Sequence, residues 1–132
     1  MNNRIIAIDF DGTIVKDNYP QIGELKDNAV FVINKLKHEG YHLILWTSRT
    51  GFKLAQAVEF LTKNGITFHG YNESCPASLE KYGDIDTRKI YADLYIDDKI
   101  LIRPVPEWTE IYEMIHQCLP TYADKVAMEG YL

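Results

Sequence analysis

The chain has 132 residues, enough for one compact domain with a buried core and too few for a second of ordinary size. Apolar residues make up 46% and charged residues 25%, a globular balance, and the formal charge of −5 argues against a protein built to wrap nucleic acid. No apolar run can span a membrane, Met1-Asn2-Asn3-Arg4 has no signal-peptide pattern, and Cys75 and Cys118 stand far apart with no CxxC pair. Together these suggest a cytoplasmic protein with two reduced thiols.

Ile5-Ile6-Ala7-Ile8 is a continuous apolar run that stops abruptly at Asp9, as a strand buried on both faces would. After Thr13, Leu25, Ala29, Val32, Ile33 and Leu36 recur at helical spacing, and Gly40 suits the C′ position beyond the last turn. Tyr41 to Trp46 is a second apolar run, ending at Thr47. Leu54, Ala57, Val58 and Leu61 predict a second helix closed by Asn64-Gly65, and Ile66-Thr67-Phe68 a weaker strand. Residues 70–87 are rich in Gly, Asn, Ser, Pro and Asp and read mainly as a loop. Leu94-Tyr95-Ile96 is a short strand ending at Asp97-Asp98. Trp108, Ile111, Tyr112 and Ile115 predict a last helix packed through its aromatic stripe, with Pro106 at N1. Residues 1–120 form the domain, and 121–132 a short docked helix or tail.

Strands alternating with helices predict an α/β fold with a mainly parallel sheet, in which ligands bind beyond the carboxyl ends of the strands. Asp9, Thr47 and Asp97-Asp98 end the three best strands, so they are expected on one rim. Each acid taken singly is an ordinary turn or cap residue. Four carboxylates (Asp9, Asp11, Asp97 and Asp98) brought together repel one another unless a cation intervenes, and an all-oxygen set suits Mg²⁺ with a phosphate oxygen. Phosphoryl transfer then assigns the parts. Asp9 is the nucleophile, and Asp11 protonates the leaving oxygen and later takes a proton from water. Gly12 permits a turn that bares backbone N–H groups. The Thr47 hydroxyl, the Ser48 backbone and the Lys89 ammonium meet the phosphate.

Asp-Phe-Asp-Gly-Thr at 9–13, Thr47-Ser48-Arg49 and Ile96-Asp97-Asp98, in that order, resemble the haloacid dehalogenase superfamily over roughly residues 4–103. The resemblance implies a Rossmann-like three-layer α/β/α sandwich and an aspartyl-phosphate on Asp9. It implies metal ligation by Asp9, by the backbone carbonyl of Asp11 and directly by Asp97, with Asp98 close behind or through water. Thr47 and Lys89 would hold the phosphoryl group, with Lys81 as the other candidate lysine. An acid at position 11 points within that superfamily to a phosphatase or phosphomutase and away from carbon–halogen cleavage.

The segments after Thr13 and after Phe68 are too short to bury a core of their own, so no substantial cap domain is expected. The expected enzyme is a Mg²⁺-dependent phosphohydrolase acting on a phosphorylated small molecule. A phosphomutase and a non-catalytic phosphate-binding protein are the alternatives, and an open rim is compatible with a homodimer. A response-regulator receiver fits poorly, because its paired acids end the first strand as neighbours. Tyr71, Asn72 and Glu73 are placed at the entrance, and Arg49 within reach of a substrate anion. His38, His42, His69 and His116 show no ligand spacing.

Overall fold

A computed structural model describes residues 4–83 and 85–130; Met1 to Asn3, on which the signal-peptide reading rests, and the last two residues of the tail lie outside them. The chain orders its elements as β1 (Ile5–Ile8), α1 (Ala29–His38), β2 (His42–Leu45), α2 (Gly51–Lys63), β3 (Gly70–Tyr71), α3 (Pro76–Tyr82), β4 (Leu94–Ile96), α4 (Trp108–Cys118) and α5 (Tyr122–Met128). The four strands form one parallel sheet in the order β3-β2-β1-β4. This is a Rossmann-like three-layer α/β fold, with no cap domain among the described residues.

Burial explains the strand sequences. Successive side chains of a strand point to opposite faces, and all four residues of the central β1 are buried. Ile6 and Ile8 join Leu43 and Leu45 on one face, under Val32, Ile33 and Leu36 of α1, Ala57 and Leu61 of α2, and Trp108, Ile111 and Ile115 of α4. Ile5, Ala7 and Ile44 face the other way, toward Cys75, Ile90 and Ala92, with Trp46 and Tyr95 alongside. That second layer is thin, made by the short α3 and the segment leading into β4.

Four local expectations change. Ile66 and Phe68 are buried but lie before the third strand. The edge pairing begins only where the His69 N–H reaches the Leu43 carbonyl at 2.9 Å, so the strand is Gly70–Tyr71. Residues 70–87 hold that strand and also helix α3, which starts with Pro76 at N1 behind an extended Cys75. Pro106 precedes α4 by two positions; Glu107 is its N-cap, in a reciprocal capping box with Glu110. Leu25 is outside α1 and bridges Val15 instead. Gly40 and Gly65 do follow their helices with φ of 93° and 80°.

The tail is helical through Met128 and docks on α4 mainly through polar contacts, since α5 contributes no fully buried side chain. His116 of α4 stands between two carboxylates, with Nδ1 2.5 Å from Asp124 of α5 and Nε2 3.0 Å from Glu39. Burial opposes a charged imidazole, but the bonds to Glu39 and Asp124 outweigh it and raise His116 above its ordinary 6.5. Burial likewise opposes ionised Asp124, yet its bonds to the Thr121 backbone and His116 hold it below its ordinary 3.8. The stabilisation by His116 is therefore complete below 6.5 and lost as pH rises through its raised value; that by Asp124 is complete above 3.8 and lost as pH falls through its lowered value. The wild type is expected to exceed His116→Gln in thermal stability most between these two ordinary values. Melting both proteins from about pH 3 to about pH 9 checks this, and an advantage that grows in alkali would contradict it.

Candidate active site

The ends of β1, β2 and β4 meet at an open cleft of about 280 Å³, lined by Asp9, Asp11, Asp17, Tyr19, Thr47, Ser48, Arg49, Asp97, Asp98 and Lys99. Parallel register puts them there: Ile8 is level with Leu45 and with Ile96, so the residues that follow emerge together. The Asp9 N–H to the Ile96 carbonyl, at 2.9 Å, extends the β1–β4 ladder into the cleft.

Carboxylate oxygens of Asp9, Asp97 and Asp98 all lie within 4.8 Å of one another. Thr13 ties two of them together: its hydroxyl donates to Asp9 Oδ2 and accepts from the Asp98 N–H, both at 3.0 Å. The Thr13 carbonyl in turn accepts the buried Trp108 indole N–H at 2.9 Å, so α4 anchors the loop. Gly12 has φ of 83°, and a Cβ there would overlap the Asp98 carboxylate, so only glycine fits. Burial and the Asp97 charge, with a lesser contribution from Asp98, push Asp9 up to about 7 against the opposing Thr13 bond. Asp98 Oδ1 is buried with no hydrogen-bond partner. Crowded acids plus an orphaned buried carboxylate oxygen are what a hard divalent cation satisfies, and the residues fit Mg²⁺.

Other sequence assignments shift. The Asp11 carboxylate does not join the three acids: Arg49 holds it through Nε to Oδ2 and Nη2 to Oδ1, both at 2.8 Å. Arg49 lines the cleft but is only 1% exposed, and its donors are taken by Asp11 and by backbone carbonyls and not held out to a substrate anion. The Gly12 N–H is not bared; it donates to the Val15 carbonyl, and the Gly12 carbonyl accepts from Lys26 Nζ. Thr47 and Ser48 are at the cleft as expected. Lys89 is not. It lies over the Tyr95 ring and lines a separate cavity with Tyr82 and Tyr91, while Lys81 lies over Tyr82. A lysine's place depends on the path of its loop, which composition does not reveal. The cleft lysine is Lys99, 3.6 Å from Asp98.

Tyr71, Asn72 and Glu73 do not line the cleft. Asn72 instead supports it from behind, accepting the Thr47 N–H at 2.8 Å and donating to the Arg49 carbonyl at 3.3 Å from a left-handed backbone. Thr13 lies within the first motif and Asn72 in the segment expected at the entrance; nothing in spacing alone marked their roles.

Among solved structures, the chain is similar to a conserved protein encoded at a locus of Bacteroides thetaiotaomicron. They share 42% identity and a TM-score of 0.78 over 94% of this chain and 98% of that one. The chain belongs to that protein's family. The match spans nearly both chains, so the two share this fold over almost their whole lengths. No family model and no curated protein matches the chain.

Removing the crowding tests this geometry. With chelator present, raised Asp9 destabilises the fold as pH rises from 3.8 through about 7, so Asp9→Asn should melt higher than wild type at alkaline pH. Mg²⁺ should raise the wild-type melting temperature and reverse that order. Gly12→Ala should cost about 1–2 kcal/mol for its left-handed backbone alone and weaken the Mg²⁺ response. A wild-type melting temperature indifferent to Mg²⁺, Mn²⁺ and Ca²⁺ would contradict the site.

Proposed function

We propose that the protein is a Mg²⁺-dependent phosphatase that takes phosphate from a monoester onto Asp9. The observation that carries this reading is the convergence of Asp9, Asp97 and Asp98 beside Thr47 and Ser48 in an open cleft. The resemblance of the three strand-end motifs to the haloacid dehalogenase superfamily supports it, as does helix-covered parallel topology, which puts ligands at this rim.

In this mechanism the Thr13 hydroxyl, donating to Asp9 Oδ2, fixes the Asp9 side chain for attack on phosphorus. The bond from the Asp9 carboxylate to phosphorus forms as the ester phosphorus–oxygen bond breaks, and the leaving oxygen takes a proton from Asp11. Water then attacks the aspartyl-phosphate, Asp11 accepts its proton, and Asp9 is released with inorganic phosphate. Thr47 and Ser48 bind the phosphoryl oxygens, and Lys99 takes the charge-balancing part first assigned to Lys89. Mg²⁺, held by Asp9, Asp97 and Asp98 with the Asp11 carbonyl, would neutralise phosphoryl charge and oppose repulsion between Asp9 and the substrate.

The cleft, of about 280 Å³, has room for a phosphorylated small molecule. Purified protein is expected to release phosphate from p-nitrophenyl phosphate with Mg²⁺ and to stop on chelation. Asp9→Asn should lower kcat at least about a thousandfold, as loss of a covalent nucleophile does. Activity that survives Asp9→Asn would remove the mechanism. Isomerised sugar phosphate with little free phosphate would favour a mutase, and inactivity across a broad ester panel a binding role.

A further inference from the structure

Arg49 is the most heavily bonded side chain at the cleft, and the steps above give it no part. Besides the paired bonds to Asp11, its Nη2 donates to the carbonyls of Pro20 at 3.2 Å and Gln21 at 3.1 Å, and Nη1 to that of Lys53 at 3.5 Å. Its guanidinium lies 5.3 Å from the centre of the Phe10 ring and 5.1 Å from that of Tyr19. Tyr19 is held at a second point: Lys53 Nζ donates to its hydroxyl at 3.2 Å and sits 5.0 Å from its ring centre. An exposed tyrosine on an irregular connection is thereby fixed at the cleft wall, beside Asp11.

A buried guanidinium needs a carboxylate partner, and many acids could serve a purely structural need. Here the partner is Asp11, and Nη2 also bonds Pro20 and Gln21, in the segment that carries Tyr19 on the same side of the cleft, while Nη1 reaches the Lys53 carbonyl of α2. The planar fork sets the orientation of the Asp11 carboxyl group as well as its position, which a lysine could not do. It uses one lone-pair site on each oxygen and leaves others for a proton.

We propose that Arg49 is a positioning residue that joins Asp11 and the Tyr19 wall into one unit, and that this unit handles the leaving alcohol of an alkyl phosphate. The inference rests on the phosphatase reading and adds the substrate class to it. When the Asp9 oxygen bonds to phosphorus, the electron pair of the broken ester bond goes to the alcohol oxygen. An alkoxide leaves poorly and needs the proton from Asp11, whereas p-nitrophenolate leaves without one. Tyr19 gives the alcohol a flat surface to rest on.

The test is a double-mutant cycle of wild type, Arg49→Met, Asp11→Asn and the double variant. Each is assayed with Mg²⁺ on p-nitrophenyl phosphate and on a panel of glycerol and sugar phosphates. Arg49→Met should lower kcat/KM on the alkyl esters at least about 100-fold but on the aryl ester less than about 10-fold. The double variant should be no slower on alkyl esters than Asp11→Asn alone. Arg49→Lys keeps the buried charge without the fork; it should show the same split and replaces the methionine variant if that does not fold. Equal losses on both ester types, or losses that multiply in the double variant, would overturn the positioning role and leave the phosphatase reading standing. A wild type active on the aryl ester and inert on every alkyl ester would also overturn it. A wild type inert on both would overturn the phosphatase reading itself.

Discussion

Everything at the cleft follows from three carboxylates held closer than like charges prefer. Asp9, Asp97 and Asp98 cannot drift apart, because parallel pairing puts the ends of β1 and β4 side by side. Thr13 then clasps Asp9 and Asp98 with one hydroxyl, and Gly12 leaves the room that the Asp98 carboxylate fills. The cost is visible in Asp9, raised to about 7, and in Asp98 Oδ1, buried without a partner. Sites that store electrostatic strain of this kind are where function concentrates. A divalent cation held by the three acids would relieve both features at once.

The opposite wall is built on attraction. Arg49 leaves β2 through a loop that Asn72 braces, and its buried charge is matched by Asp11. Two acids only two residues apart thus have opposite surroundings: Asp9 faces other carboxylates, and Asp11 faces a guanidinium. Crowding alone favours a protonated Asp9, so its proposed part as nucleophile calls for a cation beside it. No cap domain is present among the described residues, and Tyr19 and the segment around it form the wall beside them, tied down by Arg49 and Lys53.

The sheet and its rim were largely legible in the sequence. Buried strands of a parallel sheet are apolar throughout and must stop where the chain meets solvent, so Asp9, Thr47 and Asp97 marked their own positions. Helices α1, α2 and α4 were legible from apolar periodicity, since each buries one stripe. What failed was set by tertiary contact. The two-residue edge strand β3 has too little pairing to leave a pattern, and α3 begins in a stretch whose Pro, Ser and Gly content resembles a loop. Spacing pointed to Lys89, with Lys81 as the other candidate, and did not mark Lys99; the path of the chain around β4 is what puts Lys99 at the cleft. Spacing grouped Asp11 with the other acids, and a buried arginine 38 positions away draws it off.

The central claim is that the crowded carboxylate of Asp9 accepts a phosphoryl group. The most direct measurement is acid-quenched single turnover with Mg²⁺ and p-nitrophenyl phosphate, followed by peptide mapping for the acyl-phosphate. The account predicts a transient phosphoryl group on the peptide bearing Asp9, absent with chelator and in Asp9→Asn. Phosphate release with no such adduct at any quench time, or an adduct on another residue, would contradict it.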